Sequence, residues 1–567
     1  MNSVIFLVLR RMRTPLLVLV MTYAVSISGL VLIPGVDPEG NTWRFSFFHA
    51  FYFISYTAST IGFGEVPYTF TDGQRMWVTL SMYLTVIGWL YAIGNILALI
   101  QDPAFKRAII EQRFTRSVRR LKRPFHLVCG HGETGSLLVR ALDRRGFQTV
   151  VIDIDPDHLN EVSLADLSHD VPHLVADARD VDKLIEAGLT HSHCRAVLAL
   201  TDIDSVNVKV AIAAKLLNPG VTVVCRAESK EAAVNMASFD TDHIINPFQT
   251  FADHLAMALH APSVHLLYDW LISRPNLPLH PLLKPPRGAW VVCGFGRFGR
   301  EVKRFFSYEG LPTTIIEVRP DQAPEGAIIG RGTEAVTLRE AGIDKAVGIV
   351  AGTDSDPNNL SIIMTARAEN PDLYLIARQN LGSNGAIFQA ANLDLVMQAS
   401  RVTVWRILPL LTVPLLSRFL RQARHRNEQW AGELLDRIRA VCLNRTPETW
   451  SITIDRVDAE AVQQALEEGR DIRLKHLLGE PQDRSTLLPC VPLLLIRGNE
   501  EVLLPDGEQG IHIGDRLLFT ACAGAAGRMA WTLENPNVLE YVETGLERPD
   551  GYIWRWLERW RTGRVTG

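Results

Sequence analysis

The chain has 567 residues, enough for several domains and more than one substantial core. Its formal net charge of -4 excludes a general affinity for nucleic acid. Seven cysteines, an odd number with no CxxC spacing, argue for reduced thiols rather than a disulfide framework or a zinc site.

Hydrophobicity is concentrated at the N-terminal end. Thr14 to Ile33 is an uncharged run of 20 residues preceded by Arg10, Arg11 and Arg13, about the length that crosses a bilayer core. It is longer than a signal-peptide core and lacks a small-x-small cleavage pattern. A second uncharged run, Met76 to Ile100, is followed by eight basic residues between Lys106 and Arg123. The Pro34–Asn41 loop is mildly acidic, so the positive-inside rule puts both termini in the cytoplasm and residues 34–75 outside. Between the spans, an apolar and aromatic run from Ser46 to Tyr56 reads as a short helix leading into Thr60-Ile61-Gly62-Phe63-Gly64-Glu65. Two glycines alternating with larger residues can line successive backbone carbonyls along one path, because glycine reaches backbone angles closed to other residues. Four such ribbons around an axis would replace the hydration shell of a potassium ion. Re-entrant backbone at membrane depth must be buried by protein or lined by water, which two spans alone cannot provide. Gly88 and Gly94 in the second span fit either close helix packing or a bending point. The basic segment 106–123 has helical character and reads as a solvated linker facing anionic lipid headgroups.

Beyond residue 123 the chain repeats itself. Phe125-His126-Leu127-Val128-Cys129-Gly130-His131-Gly132-Glu133-Thr134-Gly135 is matched by Trp290-Val291-Val292-Cys293-Gly294-Phe295-Gly296-Arg297-Phe298-Gly299. Each copy gives a strand, G-x-G-x-x-G, a helical stretch, and a second strand ending in an acid, Asp153 or Glu317. Each acid lies 18 residues after its third glycine, so the copies are offset by 164 at both places. A lone glycine motif is weak, but the whole pattern twice is the mark of a dinucleotide-binding fold. The glycines allow a tight turn, phosphate approach and helix packing, and the acid accepts hydrogen bonds from ribose hydroxyls. An unphosphorylated ribose, as in NAD or ADP, suits that acid better than NADP. Unless the side chains point away, Glu133 disfavours phosphate at the first turn and Arg297 favours it at the second, so the second copy is expected to bind more tightly.

Further marks of the repeat are Ala176-Asp177-Ala178 against Arg331-Gly332-Thr333, Leu200-Thr201-Asp202 against Gly352-Thr353-Asp354, and Cys225-Arg226 against Ala377-Arg378. This set resembles the RCK domain, over roughly 125–270 and 288–420. The 60–65 stretch resembles the potassium-channel filter TVGYG plus Asp, with Ile61, Phe63 and Glu65 as departures. Phe63 lacks the hydroxyl that anchors such filters, and Tyr56 stands where some of these channels carry a buried acid.

Taken whole, the chain is similar to two-transmembrane-helix potassium channels with two RCK domains per chain. That resemblance implies an α-helical membrane pore with a re-entrant loop, two α/β Rossmann-like RCK domains and a small α+β C-terminal lobe. The division is a pore domain 1–102, a basic linker 103–123, a first RCK domain 124–274, a proline-rich linker 275–287, a second RCK domain 288–430, and a C-terminal lobe with tail 431–567. It further implies a plasma-membrane (prokaryotic inner-membrane) homotetramer with filter Thr60–Gly64, a base pocket near Asp177 and Ala178 or Gly332 and Thr333, and a phosphate-side Arg226 or Arg378. An NAD- or ADP-type nucleotide would act as regulator rather than substrate. Some family members bind calcium instead; Glu228 lies where one such acid occurs, but Arg226 replaces its acidic neighbour, so a surface salt bridge fits it better and no metal site is assigned. Segments 247–273 and 397–424 would cross between neighbouring RCK units. The tail Trp554–Trp560 reads as an amphipathic helix. Two other classes compete: an RCK-type regulatory subunit of a transporter, which lacks its own filter, and a membrane-anchored NAD-dependent oxidoreductase, for which no substrate domain stands out.

Overall fold

The computed structural model describes residues 2–273, 275–279 and 282–546, with backbone alone at 2–7 and 9. His280, Pro281 and the Trp554–Trp560 tail lie outside the described residues. The chain forms two compact units, residues 1–122 and nearly all that follow.

In the first unit the apolar runs are helices Asn2–Leu32 and Asp72–Gln101. Only 28% and 22% of their span windows are buried, so apolar side chains face outward, the reverse of a water-soluble bundle. A capping box, Gln74 N to Thr71 Oγ1 at 3.4 Å and Thr71 N to Gln74 Oε1 at 3.1 Å, starts the second helix. Small residues let the two helices approach: a Cβ on Gly88 would stand 3.3 Å from Thr22 Oγ1, whereas one on Gly94 would meet nothing within 4 Å. Close packing thus accounts for Gly88, within a helix that runs unbroken to Gln101. The short helix Phe47–Ala58, capped by Ser46, lies between them and packs Phe53, Ile54 and Tyr56 with Ile27, Leu30, Phe45 and Phe70. Asp102 separates Asp72–Gln101 from the basic helix Pro103–Arg119, caps the latter, and pairs with Arg11 at 2.5 Å.

In the second unit two six-stranded parallel sheets share one topology. The first has the order His173–Val175, Gln148–Asp153, Phe125–Cys129, Cys194–Ala199, Thr222–Arg226, His243–Ile245. The second has Ile328–Ile329, Thr313–Glu317, Trp290–Cys293, Gly348–Ala351, Tyr374–Gln379, Leu395–Gln398. Both follow the doubly wound order 3-2-1-4-5-6, which opens a crevice beyond the first strand. Helix Pro156–Leu164 follows the acid in the first copy, while turns span the corresponding 318–327 stretch in the second. The repeat offset therefore drops from 164 at Asp153 and Glu317 to 152 at Thr201 and Thr353.

The two copies exchange helices. Pro247–His260 follows the first sheet, yet its Phe248, Phe251, Ala252 and Leu255 pack with Trp290, Val292 and Phe298 of the second. Ala399–Thr412 follows the second sheet and sends Val404, Ile407 and Leu408 into the core of the first. Burying six large apolar side chains this way is worth on the order of 10 kcal/mol, an upper figure. The crossing expected from the resemblance thus joins the two copies within the second unit. The apolar pair Ala399–Thr412 and Pro414–Ala423 bends by 116° and packs into these protein cores.

The C-terminal lobe is an antiparallel sheet in the order Glu448–Thr453, Arg516–Ala521, Cys490–Arg497, Glu500–Leu503, with helices such as Ala525–Glu534 on it. The linker is stitched to this part of the chain: Asn276 N donates to Thr446 O and Leu277 N to Thr446 Oγ1, both at 2.8 Å.

Candidate functional site

In the first unit, helix Phe47–Ala58 ends where the 60–64 stretch begins. Ile61 N donates to Tyr56 O at 2.9 Å, and the chain then alternates through positive φ at Thr60 (63°), Gly62 (67°) and Gly64 (92°). A Cβ on Gly62 or Gly64 would meet nothing within 4 Å, so one side of this ribbon is free of the chain. The hydroxyl missing from Phe63 is supplied from behind: Tyr56 Oη donates to Gly64 O at 2.8 Å, with the two rings 5.3 Å apart. Glu65 accepts from Phe70 N at 2.8 Å and pairs with Arg75 Nε at 2.9 Å.

In the second unit a cavity of about 620 Å³ opens at the first glycine turn. Gly130 has φ 101°, and a Cβ on Gly135 would stand 2.1 Å from Gly130 O, so turn and packing both exclude a side chain there. Gly132 differs: a Cβ would meet only His158 Cε1, at 3.9 Å. It precedes helix Glu133–Asp143, whose first amides have no side-chain cap, and uncapped amides are the groups that meet an anion.

Asp153, 8% exposed, accepts hydrogen bonds from His131 N, from Asp155 N at 2.7 Å and from His158 Nδ1 at 3.3 Å. Asp177 and Ala178 line the same cavity. The Arg179 guanidinium grips Asp177 at 2.6 Å and holds its carboxyl below the ordinary value. Arg226 reaches Asp202 at 2.7 Å and Glu228, with its Nε buried and unpartnered.

Residues of the second copy complete the cavity. Arg297 and Arg378 lie 5.8 and 5.1 Å from the Phe248 ring centroid, and Arg297 pairs with Glu228. Glu133 points the other way and accepts from Gly382 N and, at 3.2 Å, from Ser400 Oγ. Each glycine turn thus sends its charged residue into the opposite copy. This corrects the charge argument above: Glu133 is held across the joint, and Arg297 contributes to the cavity of the first copy rather than standing open at its own turn. Glu228 is likewise corrected from a surface to a buried salt bridge, with its side chain 7% exposed.

The second copy repeats the scaffold. Gly294 has φ 93°, a Cβ on Gly299 would stand 2.0 Å from Gly294 O, and one on Gly296 would meet nothing within 4 Å. Glu317 is committed to Phe295 N at 2.6 Å, Val318 N at 3.0 Å and Arg319 N at 3.1 Å. A Cβ on Gly332 would stand 2.7 Å from Cys293 Sγ, while the Thr333 carbonyl accepts from Thr365 Oγ1 at 3.3 Å. Arg378 pairs with Asp354 at 2.6 Å as Arg226 does with Asp202. Of the residues singled out from the sequence, Gly130, Gly132, Asp153, Asp177, Ala178, Arg226, Arg297 and Arg378 therefore meet at one cavity.

Phe248 and Ser400 escaped sequence reasoning, and Glu228 was singled out for a different role. Their roles depend on the helix exchange, and Phe248 and Ser400 share the repeat offset of 152 as the only trace. Among the described residues no group of three or more His, Cys, Asp or Glu is arranged to hold a metal ion.

Residues 16–102 match the ion channel family, and residues 126–247 and 290–399 each match the TrkA-N domain. The chain thus joins a segment that matches an ion channel to two TrkA-N domains. Potassium channel protein 1 of Methanocaldococcus jannaschii is 26% identical over 206 residues, 36% of this chain and 59% of that protein. The voltage-gated potassium channel Kch of Escherichia coli is 26% identical over 252 residues, 43% of this chain and 55% of that one. The chain spans little more than half the length of these curated relatives. The solved structure of the GsuK channel is similar over 94% of this chain and 99% of its own, at 16% identity and a TM-score of 0.48.

Proposed function

We propose that this chain is a ligand-gated potassium channel of the prokaryotic inner membrane. Four copies surround one pore, both termini and the RCK units are cytoplasmic, and Thr60, Ile61, Gly62, Phe63 and Gly64 form the filter. The observation that carries this reading is the 60–64 ribbon, with its alternating positive φ, set at the end of a capped short helix between two span-length apolar helices. The basic residues flanking both spans favour that orientation and contact with anionic lipid.

The regulator is a nucleotide of the NAD or ADP type, held at the first copy with its ribose toward Asp153, its base toward Asp177 and Ala178, and its phosphates between the Gly132 turn and the Arg226–Arg297–Arg378 cluster. The site is a joint between the two copies within the second unit, so a bound ligand acts on their relative position, and its effect is limited to its differential affinity for the two states. Four sites contributing about 1 kcal/mol each shift a closed-to-open ratio roughly a thousandfold. The nucleotide is not turned over, and Glu228, held by Arg226 and Arg297, is not assigned to calcium.

Potassium efflux from liposomes holding the purified protein tests this directly. Efflux altered by NAD or ADP supports the reading. Efflux from protein-free liposomes at the same rate overturns it.

A further inference from the structure

Farther along the exchanged helices lies a second cavity, of about 340 Å³, within the range of small-molecule sites. Six rings line it: Phe251, His254, His265, Tyr268, Tyr374 and Trp405. The His254 ring stands perpendicular to that of His265 at 5.7 Å and edge-on to that of Tyr268 at 6.3 Å. The charged side chains in the wall are two acids, Asp269 and Asp394, and two bases, Arg401 and Arg406, so they balance. Burial pushes His254 down to about 3 and His265 to about 4, which leaves both imidazoles uncharged at neutral pH. The Tyr268 hydroxyl is committed to Leu420 O at 2.9 Å, whereas the Tyr374 hydroxyl is buried without a partner. Among the described residues, neither imidazole makes a hydrogen bond to the protein. A buried polar group left unpaired costs about 1–3 kcal/mol, a cost that a ligand's hydroxyl removes.

We propose that this cavity binds an uncharged bicyclic aromatic molecule carrying one hydroxyl, which lies among the six rings and hydrogen-bonds to His254 and His265. The rings select an aromatic body, because faces and edges meet in stacked or edge-on pairs. The balanced wall disfavours an ion, since either sign meets a like charge. A hydroxyl both donates and accepts, which matches two neutral imidazoles. The same two helices also wall the nucleotide cavity. Pro247–His260 gives Phe248 to that cavity and Phe251 and His254 to this one, while Ala399–Thr412 gives Ser400 to that one and Trp405 and Arg406 to this one. A molecule held here therefore fixes the helices in the arrangement that forms the nucleotide cavity, and the two ligands tighten each other by the same factor. This coupling, unlike the site itself, rests on the nucleotide reading above.

The test is binding of 2-naphthol to the full-length protein in detergent, read by its fluorescence, with naphthalene as the same ring system without the hydroxyl. Ala258→Phe and Leu283→Trp fill the cavity from different walls, and measuring them in the same detergent subtracts uptake by the micelle. Wild type should bind 2-naphthol saturably, and each filled variant should bind it about tenfold more weakly. His254→Phe keeps a ring and removes the nitrogens, so it should weaken 2-naphthol about fivefold, the scale of one neutral hydrogen bond, and leave naphthalene unchanged. His265→Phe gives the same reading if His254→Phe fails to fold. ADP titrated with saturating 2-naphthol should bind about fivefold more tightly than ADP alone. Equal uptake by wild type and both filled variants overturns the proposal, and so does equal affinity for 2-naphthol and naphthalene. An unchanged ADP affinity overturns the coupling. ADP that does not bind even alone refutes the nucleotide reading and the coupling with it, while the 2-naphthol titration decides the site by itself.

Discussion

Glu228→Gln is the most informative single change in the second unit. The Glu228 side chain is 7% exposed and neutralises two guanidiniums: Arg226, 11% exposed, from its own copy and Arg297, 56% exposed, from the other. Removing one partner of a buried ion pair costs about 3–5 kcal/mol, because the other charge stays buried and uncompensated. Arg226 keeps Asp202 at 2.7 Å, and the amide keeps the shape and part of the hydrogen bonding, so the low end of that range, about 3 kcal/mol, is expected. Arg297→Ala removes a half-exposed partner and one contact with Phe248, and should cost about 1 kcal/mol. For a unit of this size the two values correspond to a Tm lower by on the order of 5 °C and about 2 °C. Thermal unfolding of the full-length protein in detergent reads both. Millimolar ADP should recover more of the loss in Glu228→Gln than it adds to wild type, since its phosphates then meet a released Arg297 and an Arg226 held by Asp202 alone. Equal Tm values for wild type and Glu228→Gln, or a larger loss in Arg297→Ala, would refute the reasoning.

Further outcomes are expected. Gly132→Ala should keep the wild-type Tm and weaken ADP binding at least tenfold by calorimetry, because the added methyl occupies the open approach to the helix amides. Gly135→Ala should instead lower the Tm or abolish expression, its Cβ falling 2.1 Å from Gly130 O. Burial pushes His126 and His265 down to about 4 in the folded protein. The unfolded chain, with histidines near 6.5, therefore takes up protons first, so this stability is full above about pH 6.5 and is lost as pH falls toward 4. Urea unfolding should show a loss of about 2 kcal/mol per histidine between pH 7 and pH 5. His126→Leu should flatten that dependence, since both ring nitrogens of His126 are buried without partners. Gly88→Leu should weaken the first unit by about 1–3 kcal/mol, seen as a lower unfolding temperature in detergent, because its Cβ starts 3.3 Å from Thr22 Oγ1.

The parts legible in the sequence were those written in local patterns. Uncharged runs of span length marked the two long helices, and two glycine signatures, each with an acid 18 residues on, marked the parallel sheets. The acids proved to cap the turn amides within each copy, a local contact that spacing encodes. Contacts across the joint were not legible. Glu133 and Arg297 invite a charge argument about their own turns, yet the exchanged helices place their partners in the opposite copy, 249 residues away for Glu133 and Gly382. Periodicity identifies helices Pro247–His260 and Ala399–Thr412 as amphipathic but does not say which sheet each covers. Tyr56 stands out in the sequence only through the resemblance, at a position where some channels carry a buried acid, with nothing to say that its hydroxyl reaches Gly64. Its hydroxyl finds Gly64 only because the ribbon doubles back past the helix end.

The central claim is that one chain carries both a potassium-selective pore and the nucleotide site that works it. The most direct test is current through the purified full-length protein in planar bilayers under opposed potassium and sodium gradients, with ADP or NAD applied to the RCK side, for wild type and Gly132→Ala. The account predicts a reversal potential near that of potassium, an open probability that responds to nucleotide in wild type, and the same conductance with a much weaker response in Gly132→Ala. A reversal potential that does not distinguish potassium from sodium, or a full nucleotide response in Gly132→Ala, would contradict it.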